Sequence, residues 1–306
     1  MQIRLLGTAA GGGVPQWNCN CLICREARIG TGRVIPRTQS SVAVSADDRH
    51  WFLLNASPDI RAQIESVPAL QAPAGKMRGS PIEAVLLTNA DLDHTLGLFL
   101  LREGEKLPVH ATTQVQQSLT KGVSLSAVLS SFCGLEWIEP PMGVSPLPGR
   151  DGSPSGLLCQ AIPVQGHQPR FIKSSSGHEA GSVIGYRIID EQTGGRLLFL
   201  PDVAVLDEKL SAELAECEVL LFDGTFWSED EMQERGVGNL PASAMGHVPI
   251  SGPAGSLKAL AGLKIKHKIY VHINNTNPIL LEDSPERATV TAAGCTIGED
   301  GMELVI

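Results

Sequence analysis

Short runs of apolar and β-branched residues recur along the chain, each bounded by Gly, Pro, Asp or Ser. QIRLLG near the start, SSVAVSA at 40–46, HWFLLN at 50–55 and EAVLLT at 83–88 form a first group. SVIGYRIID at 182–190, RLLFLP at 196–201, EVLLFDG at 218–224, KIYVHI at 268–273 and the closing MELVI form a second. Runs of this length and composition predict strands. Helical signals lie between them. SPDIRAQIE offers Ser57 as an N-cap and Pro58 at the first helical position. SEDEMQER sets Ser228 and Glu231 at capping-box spacing. SPERATVTAAG has Ser284 and Pro285 to start a helix and Gly294 to stop it. GPAGSLKALAGL at 252–263 and TLGLFLLREG from Thr95 read as further helices. Strands come first and then alternate with helices, and the order repeats. That predicts an α/β fold of two sheets packed face to face with helices outside. The Pro-, Gly- and Ser-rich stretches 69–80 and 142–156 read as surface loops. Strong strands flank both, so residues 1–306 are expected to form one domain.

Composition narrows the function. Apolar residues make up 42% and charged residues 19%, an ordinary globular balance. The 33 acidic and 24 basic side chains leave a net charge of -9, which repels phosphate backbones and anionic lipid. Nucleic acid is therefore not an expected partner. No apolar run approaches the roughly 20 residues that cross a bilayer, and the N-terminal apolar stretch is too short for a secretory signal. The expectation is a cytoplasmic protein without membrane insertion. Seven cysteines is an odd number, as suits a compartment that keeps thiols reduced. Cys133, Cys159, Cys217 and Cys295 are scattered and read as small buried hydrophobes. Cys19, Cys21 and Cys24 crowd into WNCNCLIC. Three thiolates within six residues are close enough to share one tetrahedral zinc, which marks residues 17–25 as a zinc loop.

Acids and histidines stand at the ends of successive predicted strands. Asp91, Asp93 and His94 follow EAVLLT, His167 follows AIPVQG, Asp202 follows RLLFLP, and Asp223 ends EVLLFD. His247 lies in AMGHVPISG, and His272 ends KIYVHI. Singly, each reads as a turn former, a helix cap or a hydrogen-bonded histidine. Together they read as a metal site built at strand ends. His50, His110, His178 and His267 lack such context and are expected at the surface.

This order of strands and ligand-like positions resembles the metallo-β-lactamase superfamily, whose signature after a strand is H-x-H-x-D-H. Here the same frame reads Asn89-Ala90-Asp91-Leu92-Asp93-His94, so two early histidines are replaced and the Asp-His pair is kept. GTAAGGGVPQWNCNC, RTQSSVAVS, LNASPDIRAQ, DGTFW, DEMQERGVG, MGH, HINNTNPIL and DSPERA further resemble the coenzyme PQQ synthesis protein B family. The resemblance implies a four-layer αββα sandwich of two mixed sheets. It implies Asp93, His94 and His272 as ligands of one metal, Asp202 as the counterpart of a bridging aspartate, and His247 as the counterpart of a catalytic histidine. Two imidazoles and one carboxylate suit mononuclear non-haem Fe(II) and leave positions open for O2 and substrate.

The function implied is an Fe(II)- and O2-dependent hydroxylase in PQQ (pyrroloquinoline quinone) biosynthesis. Its substrate would be the tyrosyl ring of a small Glu–Tyr-derived precursor, and its partners the other PQQ biosynthesis proteins. Two alternatives stand beside it: a carrier that aids transport of PQQ or its precursor towards the periplasm, and a metal-dependent hydrolase using the remaining Asp and His residues. Asp91 reads as an acceptor behind a ligand or as a ligand of a weak second metal. Asp202 and His167 read as substrate-orienting groups or parts of that second site. His247 reads as a proton shuttle or a loop-stabilising histidine. Related phosphodiesterases complete the cysteine site with a histidine three residues beyond the late-strand histidine; Asn275 occupies that position here. A precursor rich in carboxylates calls for cations, and Arg37, Arg61 and Arg102 are the candidates. Gly11, Gly12 and Gly13 read as an anion cradle or a plain turn.

Overall fold

The computed structural model describes residues 1–172 and 180–306. In chain order the strands are β1 (Gln2–Gly7), β2 (Ser41–Ser45), β3 (Trp51–Leu54), β4 (Ile82–Leu86), β5 (Leu107–His110) and β6 (Leu135–Ile138). There follow β7 (Ser145–Pro146), β8 (Leu157–Pro163), β9 (Ile184–Asp190), β10 (Arg196–Leu200), β11 (Val219–Asp223), β12 (His267–Val271), β13 (Thr296–Ile297) and β14 (Glu303–Val305). Among the described residues they form two seven-stranded sheets, ordered β14-β1-β2-β3-β4-β5-β6 and β13-β12-β11-β10-β9-β8-β7. Both are mixed. β1, β2 and β3 pair antiparallel and β3 to β6 parallel. In the other sheet β8, β9 and β10 are antiparallel and β10 to β13 parallel.

The two-residue pleat sorts the apolar runs into layers. Phe52 and Leu54 of β3 pack between the sheets, against Phe199 of β10 and Leu221 of β11. Their neighbours Trp51 and Leu53 face the other way, under Ile60, Leu98, Val115 and Leu129 of the outer helices. In the second sheet Leu198, Leu200, Leu220 and Phe222 turn outward to meet Leu210, Leu214, Leu260 and Val290. Because both faces of each sheet are covered, the central strands are apolar throughout. The result is the expected αββα sandwich. No helix among the described residues is long and apolar enough to cross a membrane.

Several local expectations change. The helix after β3 spans Ile60–Ser66, and Ser57 Oγ accepts from Asp59 N instead of capping it. Ser228 and Glu231 form no capping box: Glu231 is buried and accepts from Trp227 N and Thr276 Oγ1. Ser284 does cap its helix, accepting from Arg287 N, and Gly294 ends it at φ 73°. His110 is not a surface residue. It is buried at the end of β5, where burial alone lowers its imidazole to about 4. His50 and His267 are half-buried. His178 lies outside the described residues.

Candidate metal centre

The chemistry gathers where strands of both sheets end. The first sheet contributes the turn after β4, Asn89 to His94. The second contributes Asp202 after β10, Asp223 at the end of β11, His247 in the loop before β12, and His272 just past β12. Parallel neighbours end side by side, so the groups that follow them converge without disturbing the ladders.

One donor atom each from Asp93, His94 and His272 lies within 4.8 Å of the others, and the same holds for Asp202, His247 and His272. The two sets meet at His272. Its Nδ1 is 2.8 Å from Thr225 Oγ1, which leaves Nε2 for anything else. That Nε2 lies 3.1 Å from Asp93 Oδ2 and 3.8 Å from Asp202 Oδ1. The backbone reaches this position at φ 55°, a left-handed conformation rare for histidine. Thr225 Oγ1 lies 2.9 Å from the His272 carbonyl, and the loop after β1 pins the next residue through Ile273 N to Thr8 O and Ala10 N to Ile273 O.

His94 is oriented from behind. Asn55 Nδ2 donates to Thr88 Oγ1, and that oxygen sits 3.2 Å from His94 Nδ1, while Asp202 Oδ2 lies 3.5 Å from the same nitrogen. His94 Nε2 is buried and has no hydrogen-bond partner among the described residues, with Asp93 Oδ2 3.8 Å away. An orphaned imidazole nitrogen beside a carboxylate in a buried site is what a cation would complete. The donor set fits a metal of the N/O-preferring kind. Burial alone would raise Asp93, but the His94 and His272 imidazoles outweigh it and hold that carboxyl well below the ordinary range. Burial works against a charged His272, yet Asp202 and Asp93 carry it up to about 10. Burial, reinforced by Asp93 and Asp202, pushes Asp91 up to about 7.

Asn89 occupies the first altered signature position, and its amide donates to Asp202 Oδ2 at 3.1 Å. Its Oδ1 receives Asp91 N at 3.0 Å. Asp91, Asp202, His167 and His247 all line a cavity of about 200 Å³ beside the cluster. Gly246 lies against His167: a Cβ there would meet His167 Nδ1 at 2.9 Å.

The three arginines expected to bind substrate are elsewhere. Arg37 is buried, with its guanidinium on Gly298 O, Thr8 Oγ1 and Glu299. Arg61 is exposed on the helix Ile60–Ser66. Arg102 donates to Phe99 O, pairs with Glu103 and covers the Phe132 ring. Each is spent on folding or solvent. The glycine turn packs on the site instead of cradling an anion, since a Cβ on Gly11 would lie 3.3 Å from Asp93 Oδ2. Sequence reasoning assigned no role to Asn55, Thr88 or Thr225; it counted Asp223 among the strand-end acids of a metal site, whereas Asp223 holds His247 Nδ1 at 2.8 Å. Asp223 was visible as a strand-end acid; the other three carry no signal in an isolated sequence.

Cys19, Cys21 and Cys24 converge, with sulfurs within 4.8 Å. Asn275 closes the cluster through Nδ2, 3.3 Å from Cys24 Sγ and 3.8 Å from Cys21 Sγ. The Cys24 thiol lowers Cys21 to about 5, so a thiolate is available to a metal there. Since Asn275 follows His272 by three residues, the loop is tied to the strand that delivers His272.

A model of the beta-lactamase superfamily domain matches residues 50–273. Coenzyme PQQ synthesis protein B of Cupriavidus necator is 44% identical over 310 residues, covering 99% of both chains. That of Ectopseudomonas mendocina is 45% identical and covers 100% of both. The crystal structure of Zn(2+)-bound PqqB from Methylobacterium extorquens matches at TM-score 0.90 and 42% identity over 100% of both chains. A diphosphatase of the PhnP family, at TM-score 0.67 and 20% identity over 99% of this chain and 96% of that one, shares the fold.

Proposed function

Because the chain belongs to the beta-lactamase superfamily and, within it, to the coenzyme PQQ synthesis protein B family, we propose that it serves PQQ synthesis as an Fe(II)- and O2-dependent hydroxylase. Its substrate is the tyrosyl ring of a small Glu–Tyr-derived precursor, and the other proteins of the pathway are its partners. The observation that carries this reading is the single free nitrogen of His272, set between Asp93 and Asp202 beside the orphaned Nε2 of His94. With Asn89 committed to Asp202, the residues favour one ion over the paired ions of hydrolases. Iron held by Asp93, His94 and His272 supplies the redox chemistry needed to oxidise an aromatic ring with O2, which zinc lacks.

The chain's own groups do the remaining work. Asp223 and Thr225 fix the imidazoles of His247 and His272, so neither ring is free to turn. His247 has Nδ1 committed to Asp223 and keeps Nε2 for moving a proton to or from the bound ring. Asp91, poised near neutrality on the cavity wall, is a second proton holder. The cysteine loop, with zinc, braces the strand that delivers His272, and residues 1–306 act as one unit.

A hydrolytic reading has one observation in its favour: Asp202, His247 and His272 converge as well. It ranks second because His272 has one nitrogen for both sets. The deciding experiment loads the purified protein anaerobically with Fe(II), adds a Glu–Tyr peptide with ascorbate as the two-electron donor that reduces the second oxygen atom to water, then O2, and follows oxygen incorporation by mass spectrometry. Oxygen in the ring with iron, and none with zinc or after His272→Ala, supports the proposal. Ester turnover with zinc and no need for O2 replaces it with hydrolysis. Tight product binding with no oxygen uptake replaces it with a carrier.

A further inference from the structure

The cavity beside Asp202 and His247 is small. At about 200 Å³ it falls below the roughly 300–1,000 Å³ of pockets that swallow a whole ligand. It has room for one ring, so the rest of a peptide-like ligand must lie across its mouth. The inner wall carries Asp91 and Asp202, and Val183, Leu240 and Met245 supply apolar surface. A ligand carboxylate placed against those two acids would meet like charge, whereas an aromatic ring would not.

Among the described lining residues, Arg170 alone carries a fixed positive charge. It is exposed and has no ion pair or hydrogen bond within the described residues. By contrast Arg33 pairs with Asp283, Arg187 with Glu213, and Arg287 with Glu282 and Glu299. An uncommitted guanidinium on the wall of a cavity that also carries two acids is a carboxylate receptor by chemistry. Its planar fork accepts a carboxylate through two parallel N–H bonds.

Resting on the reading that a substrate ring faces the centre, we propose that Arg170 is the specificity-determining anchor for a substrate carboxylate at the cavity mouth. Charge then sets direction. The acids inside reject the carboxylates, Arg170 outside holds one, and the ring is the part that reaches His247 and Asp202. An amide or ester in the same place would lose the ionic contact and its orientation.

The test measures binding without turnover. Metal-loaded protein, kept free of oxygen, is titrated with the dipeptide Glu–Tyr and with the same dipeptide amidated at its C-terminal carboxylate and Glu side chain. Wild type should prefer the acid form. Arg170→Ala should weaken the acid form roughly ten- to hundred-fold, the range of a lost charge-assisted bond, and leave the amidated form nearly unchanged. Arg170→Lys should recover part of the difference, with metal content and Tm equal in all three proteins. Equal loss for both ligands, or no binding of either form to wild type, overturns the proposal. Arg170-dependent binding without later oxygen incorporation would leave the anchor standing and remove only the hydroxylase reading.

Discussion

The carboxylate of Asp223 lies 2.8 Å from Nδ1 of His247, and both are buried. The same carboxylate accepts from Val203 N at 2.8 Å, Thr225 N at 3.0 Å and Thr225 Oγ1 at 2.7 Å. Burial would raise Asp223, but His247 and these donors outweigh it and keep the group ionised. Burial likewise opposes a charged His247, and Asp223 reverses that effect. One acid therefore fixes both the tautomer and the proton affinity of the histidine on the cavity wall.

Asp223→Asn keeps the volume and removes the charge. The amide can accept with one oxygen only, so either His247 Nδ1 and Val203 N, which share Oδ2, or Thr225 N and Oγ1, which share Oδ1, face an NH2 group. Loss of such a supporting acid typically costs about 10- to 100-fold in activity. The expected result is that loss in turnover, with the circular-dichroism spectrum unchanged and His247 less readily protonated by NMR. Full activity would mean that this pair plays no part in the chemistry.

Gly11 tests the site from the opposite side. A methyl there lies 3.3 Å from Asp93 Oδ2, so the carboxylate must retreat by a few tenths of an ångström. Gly11 is exposed and is not among the glycines at positive φ. Gly11→Ala should leave stability within about 0.5 kcal/mol and weaken metal retention by up to roughly tenfold. Competition with a chromophoric chelator would read the change, and unchanged affinity would show that the turn does not position Asp93.

The layers were legible in the sequence because apolar runs such as RLLFL and VLLFD mark central strands whatever their pairing. The edge strands β6, β7 and β13 were not: LEWI, SP and TI are too short to carry a pattern of their own. The ligand-like acids and histidines were legible because strand ends collect them. The groups that aim them were not. Thr225 and Thr88 look like any threonine until folding sets an imidazole nitrogen 2.8 Å or 3.2 Å from their hydroxyls. The arginines failed for a related reason: proximity to a motif in sequence does not tell which way a side chain points. Arg37 points into the fold, while Arg170, outside every motif, lines the cavity.

The cysteine loop should respond to substitution as a structural element. Cys21→Ser removes the thiol held lowest and breaks the contacts with Asn275. Loss of a bound structural metal unfolds what it organised, so the expected fall in Tm is roughly 5 °C or more. Cys133→Ser, half-buried and outside both clusters, should shift Tm far less. A zinc chelator applied to wild type should reproduce the Cys21→Ser value, and equal shifts for the two variants would remove the loop's bracing role.

His110 supplies a pH dependence away from the metal centre. Its ring is buried, and Nδ1 has no hydrogen-bond partner among the described residues. Burial lowers it from 6.5 to about 4. In the unfolded chain it titrates near 6.5, so between those values the unfolded state holds a proton that the folded state does not. Stability from this group is therefore intact above pH 6.5 and is lost progressively as pH falls towards 4, with no further change below. The gap corresponds to roughly 3 kcal/mol at 1.36 kcal/mol per unit. His110→Leu removes both the titration and the unpaired nitrogen. Urea unfolding should give the variant a stability close to wild type at pH 7 and an advantage of roughly 2–3 kcal/mol at pH 4. Parallel loss in the two proteins across that interval would show that His110 takes up its proton alike in the folded and unfolded states and is not the source of the acid sensitivity.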